Sequence, residues 1–188
     1  MSVDRTSEGR SGARHSVIHV CSLSRLHETV AVTGARHVIS LLGREDNVRC
    51  PEAIAPENHL WLQLHDISEP LDGYVSPERH HVTQLISFVR RWRRDAPLVI
   101  HCYAGVSRST AAAFVSLCAL NPGDDEIAIA HELRRASPTA TPNIRIVALA
   151  DEILGRDGRM IRAIEAIGRG VLVLEAMPFR LQVETAQI

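Results

Sequence analysis

The chain has 188 residues with 21 basic and 22 acidic side chains, a formal charge of −1, so its overall balance offers no electrostatic basis for nucleic acid or an anionic membrane. This length supports one domain with a core that needs no metal or disulfide staple, and an aromatic content of 4% leaves that core to aliphatic residues. Every basic residue is arginine; without lysine, the nucleotide-binding P-loop, which ends in Gly-Lys-Ser/Thr, is excluded.

Residues 1–15, rich in Ser, Gly, Arg and acids, read as a disordered tail, and their lack of an apolar run predicts no signal peptide. "VIHVCSL" (17–23) reads as a strand, "SRLHETVAVTGA" (24–35) as a short helix stopped by Gly34, and "HVISLL" (37–42) as a second strand. A loop at 43–58, punctuated by Pro51 and Pro56, leads to a third strand, "HLWLQL" (59–64), which delivers "HDISEPLDG" as an exposed loop. "SPERHHVTQLISFVRRW" (76–92) reads as a helix with Ser76 as its N-cap and Pro77 at its first position. "PLVIH" (97–101) lacks alternation, as a central strand covered on both faces should, and "SRSTAAAFVSLCAL" after it reads as a buried helix. Helices at 124–136, 143–154 and 159–167 follow, and the remaining tail reads either as an added strand or as a packed extension.

This order predicts an α/β fold, a short central, mostly parallel sheet flanked by helices on both faces, in three layers. The expected organisation is a domain over 16–168 with a C-terminal extension at 169–188. Cys21, Cys50, Cys102 and Cys118 show neither C-x-x-C nor zinc spacing, and no apolar run approaches the ~20 residues of a membrane span. A reduced, cytoplasmic protein with free thiols is therefore expected. Adjacent histidines such as His80 and His81 on a helix point about 100° apart and cannot share an ion, so no metal and no cofactor are expected.

The informative stretch is "LVIHCYAGVSRST" (98–110), in which a buried strand runs into a cysteine and a small, flexible loop. The N–H groups of Tyr103, Ala104, Gly105, Val106, Ser107 and Arg108 can curl into an anion-binding nest, with Gly105 permitting the required backbone angles. The following helix adds its positive end, and Arg108 a planar fork matched to two oxygens of a tetrahedral oxyanion. Thiolate is favoured in such a field, so Cys102 is a nucleophile aimed at the anion's central atom. That combination describes phosphoryl transfer through a phosphocysteine intermediate.

His101-Cys102-x5-Arg108-Ser109, in the form "HCYAGVSRS", resembles the signature of the cysteine-dependent protein tyrosine phosphatases, and its ending is most similar to the dual-specificity branch. The resemblance extends from about residue 17 to about residue 154 and includes the "ASPTATPN" segment. It implies Cys102 as nucleophile and Arg108 as the ligand of the phosphate and its transition state. It also implies that Ser109 hydrogen-bonds the leaving thiolate and that His101 helps to hold the loop and the low pKa. The family places a general-acid aspartate on an upstream loop; here that is Asp66, 36 residues before Cys102, with Glu69 and Asp72 as runners-up. The implied substrate is a phosphorylated protein carrying phosphotyrosine, with phosphoserine and phosphothreonine as further candidates, and with neither nucleic acid nor membrane as partner. A phosphoinositide phosphatase using the same loop, or a phosphopeptide-binding module with little activity, are the alternatives.

Overall fold

The five residues Leu98–Cys102 form β4 and are all buried, which places this strand at the centre of the molecule. In the computed structural model, which describes residues 17–46 and 49–183, β4 lies between β1 (Val17–Ser22) and β2 (His37–Leu42). β3 (His59–Gln63) joins the outer side of β2, and β5 (Phe179–Gln182) the outer side of β1, giving the order β3-β2-β4-β1-β5. All pairings are parallel except that of β5. The tail thus resolves into a strand: Phe179 and Leu181 continue the sheet's apolar face outward from Val20 and Ile18. The expected tail at 1–15 and the last five residues of the extension lie outside the described residues.

Alternation along each strand sends side chains to two different layers. Leu98, Ile100 and Cys102 join Ile18, Val20, Ile39 and Leu41 in the larger core, beneath α2 (Arg79–Arg91), α3 (Arg108–Leu120) and α5 (Ile144–Leu154). Val99, Cys21 and Val38 face the other way, against Leu26 and Val30 of α1 (Leu26–Thr33). α4 (Glu126–Ala136) and α6 (Arg159–Ile167) pack on each other and complete the thicker layer. The carboxylate of Glu126, buried, takes hydrogen bonds from Arg156 and Arg159, and Arg156 also donates to the Cys118 carbonyl, binding α3 to that layer.

One boundary departs from the sequence reading. α2 begins at Arg79, not after Ser76, because Glu78 and His81 form a reciprocal cap: the Glu78 side chain accepts from the His81 N–H, and His81 Nδ1 accepts from the Glu78 N–H at 3.1 Å. Ser76 and Pro77 are buried ahead of the helix, where the Pro77 carbonyl receives Arg145 Nε at 2.6 Å.

Because β4 inserts between strands that precede it in sequence, the carboxyl ends of β1, β3 and β4 gather at one edge. Crevices of this kind are where α/β sheets bind ligands.

Candidate active site

The loop 102–108 leaves β4 on the larger-core face, with Cys102 only 2% exposed. Four of its backbone carbonyls are engaged from outside: Tyr103 by the Leu23 N–H, Ala104 by Ala176, Val106 by Thr141 and Ser107 by Asn143, at 2.9 to 3.3 Å. None of the N–H groups of residues 103–107 donates to a protein acceptor among the described residues. A loop whose acceptors are mostly engaged and whose donors are not is suited to an anion. Gly105 makes this path possible: its φ is 73°, and a Cβ there would lie 3.0 Å from the backbone of Cys21 and Ser22.

Ser107 is the N-cap residue of α3, yet its hydroxyl does not cap the helix. It donates instead to Asp66 Oδ1 at 2.7 Å, leaving the first turn's N–H groups to add to the loop's positive end. Arg108 is buried, and its Nη1 donates to the Leu64 carbonyl at 3.0 Å. That carbonyl ends the run leading out of β3, so the guanidinium is held by the same segment that carries Asp66. Its Nε is buried with no protein partner, and such a donor costs about 1–3 kcal/mol unless an acceptor arrives. Ser109 Oγ lies 3.1 Å from Cys102 Sγ.

His101 points to the opposite face, where its Nε2 pairs with Ser40 Oγ at 2.6 Å and Ser40 in turn with His59 at 2.8 Å. Burial pushes the His101 imidazole down to about 3, so the ring is neutral and contributes no charge, and its bond to Ser40 ties β4 to β2. Cys21 is on that face too, and burial drives its thiol up to about 12; Cys118 is driven equally high by burial in α3. Both stay protonated, as packing thiols do.

Asp66 Oδ1 accepts a second hydrogen bond, from Asn143 Nδ2 at 2.8 Å. Among the described residues no hydrogen bond joins Glu69 or Asp72 to the loop. The acid loop is pinned at its base by the His65 N–H to the Val75 carbonyl, and by the Val75 N–H to His65 Nδ1, both at 2.8 Å. Outside the loop a groove of about 890 Å³ runs between Asp66, Ser107 and Asn143 on one side and residues 168–173 on the other.

The family model for protein-tyrosine phosphatase matches residues 55–136, from the approach to β3 through the acid loop, the Cys102 loop and α4. Tyrosine-protein phosphatase yvh1 of Schizosaccharomyces pombe is 26% identical over 123 residues, covering 64% of this chain and 34% of that protein. Over this stretch the chain is similar to the protein-tyrosine phosphatases. It spans about a third of the length of that curated relative. Among solved structures, DUSP15 superimposes on this chain with a TM-score of 0.59 at 17% identity, over 80% of this chain and 89% of that one. PTPMT1 in complex with PI(5)P gives a TM-score of 0.53 at 13% identity, over 79% and 92%. These likenesses show the dual-specificity-type three-layer fold.

The structure brings Cys102, Arg108, Ser109 and Asp66 to this one edge. It adds three contributions that sequence reading passed over: the Leu64 carbonyl behind Arg108, Ser40 behind His101, and Asn143 behind Asp66. Only Asn143 left a trace, as the last residue of "ASPTATPN", before a helix for which it is a good N-cap.

Proposed function

We propose that the protein hydrolyses phosphate monoesters, phosphotyrosine of proteins foremost and phosphoserine and phosphothreonine beside it, through a phosphocysteine on Cys102. The observation carrying this reading is the loop's one-sided hydrogen bonding, with free amide donors and the unpartnered Arg108 Nε around a single cysteine. The Cys102 thiolate attacks phosphorus, the bond to the substrate oxygen breaks, and Asp66 gives that oxygen its proton. Water then attacks phosphorus, the S–P bond breaks toward a thiolate stabilised by the Ser109 hydroxyl, and the Asp66 carboxylate takes up the water's proton. No metal or cofactor is needed for either step.

The groove beyond Asp66 suits the extended organic part of a peptide, and one of its walls is apolar, formed by Val171, Leu172 and Val173. The side chains between Cys102 and Arg108 are all uncharged, which speaks against a headgroup bearing several phosphates. Release of phosphate from phosphotyrosine, phosphoserine and phosphothreonine peptides and from a short-chain phosphoinositide tests the assignment. The expected order places the phosphotyrosine peptide first; preferred turnover of the phosphoinositide, or tight peptide binding with no turnover, would overturn it.

Arg108→Lys keeps the charge but loses the planar fork, so one side chain can no longer hold the Leu64 carbonyl and grip two phosphate oxygens. Aryl phosphate turnover should fall by well over tenfold, about 1.4 kcal/mol, and titration with inorganic phosphate should show weaker binding. A smaller loss would reduce Arg108 to a structural residue.

A further inference from the structure

The segment between α6 and β5 passes along the phosphate loop and is fixed at both ends. Arg134 Nη2 donates to the Gly168 carbonyl at 2.8 Å, the Gly170 N–H to Thr141 Oγ1 at 3.1 Å, and the Val171 N–H to the Pro138 carbonyl at 3.0 Å. At its far end the Ala176 N–H holds the Ala104 carbonyl of the loop at 2.9 Å. Beside that bond, Glu175 Oε1 accepts from the Ser22 hydroxyl at 2.5 Å and from the Ser24 hydroxyl. Ser22 is buried and stands opposite Cys102 in the register of β1 and β4. A hollow of about 400 Å³ opens here, sharing no residue with the groove beside Asp66. Leu23, Ser24, Leu174 and the loop residues Tyr103 and Ala104 line it, and Glu175 is its only charged group. Leu174 is 97% exposed and Tyr103 63%.

Anchoring the segment does not call for a charge, since any acceptor would take the two hydroxyls. Those bonds, Ser22 first and Ser24 next, hold the Glu175 carboxyl below the usual carboxylate range. The carboxylate is thus kept ionised near a loop whose amides and Arg108 are set for an anion, and on its own it opposes that anion. Among the described residues no hydrogen bond reaches Glu175 Oε2. Arg25, whose charge is felt at Glu175, is already paired with Glu28 at 3.0 Å. A cation arriving together with the phosphate resolves the conflict.

We propose that this hollow is a subsite for a basic residue of the phosphoprotein substrate, arginine before lysine, whose head pairs with Glu175 Oε2 while its stem lies against Leu174 and Tyr103. The chemistry of the lining selects that occupant. An apolar side chain would bury the carboxylate without a partner, and an acidic one would meet it with like charge. A guanidinium offers a fork of donors to the carboxylate and a flat face to the Tyr103 ring, and its methylenes cover an exposed leucine. Tyr103 and Ala104 belong to the phosphate loop, so the hollow is continuous with the catalytic site. The residue it takes therefore lies close in sequence to the phosphorylated one. This inference rests on the reading of the protein as a phosphatase of phosphorylated proteins.

Glu175→Gln isolates the charge, because its amide oxygen still accepts from Ser22 and Ser24. The variant should melt within a few degrees of wild type and turn over a small aryl phosphate at the wild-type rate. Phosphotyrosine peptides that differ only in the place of a single arginine supply the readout. With wild type, arginine at a favoured place should raise kcat/KM over the arginine-free peptide by about fivefold, the order of an exposed charge pair. Glu175→Gln should erase that advantage without slowing the arginine-free peptide, and added salt should erase it in wild type. Binding of the same peptides to Cys102→Ser should show the same preference. Equal turnover of all the peptides by wild type, or a preference that survives in Glu175→Gln, would overturn the proposal. So would slowing of the aryl phosphate and every peptide alike, which makes Glu175 an anchor of the loop. Peptide turnover indifferent to arginine leaves the phosphatase reading standing; absence of peptide turnover, with the aryl phosphate still hydrolysed, removes both.

Discussion

Cys102→Ser should abolish turnover of a small aryl phosphate while leaving the fold and phosphate binding in place. Cysteine and serine differ by one atom, and the position is 2% exposed beside the Ser109 hydroxyl, 3.1 Å from the sulfur, so a serine hydroxyl finds a partner already there. The nest of amides and Arg108 is untouched, and inorganic phosphate should still bind. Attack on phosphorus, however, requires an anion at this atom, and an alcohol has far too high a pKa for the loop to ionise it. No base stands in for one: His101 faces the other side of the sheet, paired with Ser40. Steady-state turnover, phosphate titration and a melting curve together decide the matter. EDTA should leave the wild-type rate intact. Normal turnover by the serine protein, or loss of wild-type activity to the chelator, would refute the phosphocysteine mechanism.

The second large effect should come from Asp66→Ala, and it should depend on the leaving group. Expelling a basic oxygen requires a proton in the transition state; expelling an activated phenolate does not. General acids contribute about 10²–10⁴-fold, so turnover of a phosphotyrosine peptide should fall by that order while an activated aryl ester slows far less. Asp66 is exposed on a loop anchored independently by His65, Val75 and Arg145, so its truncation should leave the fold intact. The rate profile of wild type should be bell-shaped, and the variant should lose the alkaline limb, which reports loss of the donated proton. Binding of inorganic phosphate should stay near wild type. If both substrate classes slow equally and the bell persists, Asp66 is structural, and Asp72→Ala becomes the variant to measure.

Much of this molecule was determined locally and is therefore readable from residue order. The unbroken run Leu98–Ile100 can only be a strand covered on both sides, and the small residues after Cys102 can only be a loop feeding a helix, because apolar periodicity and backbone freedom are properties of neighbouring residues. The loop's anion-binding character follows from the same stretch, since a cysteine, a glycine able to take positive φ and an arginine lie within seven residues. Other features arise only when distant segments meet. Ser76 was the better local N-cap, yet the helix starts after Glu78, where His81 completes a reciprocal cap and Pro77 stays outside the helix to receive Arg145, 68 residues away. The segment from Phe179 could become a strand only once β1 offered it an open edge. Among Asp66, Glu69 and Asp72, composition cannot choose; the structure gives only Asp66 hydrogen bonds from the Ser107 hydroxyl and the Asn143 amide, 41 and 77 residues distant. A hydrogen bond depends on separation in space to within tenths of an ångström, and separation in space is what the insertion of β4 between β1 and β2 decides.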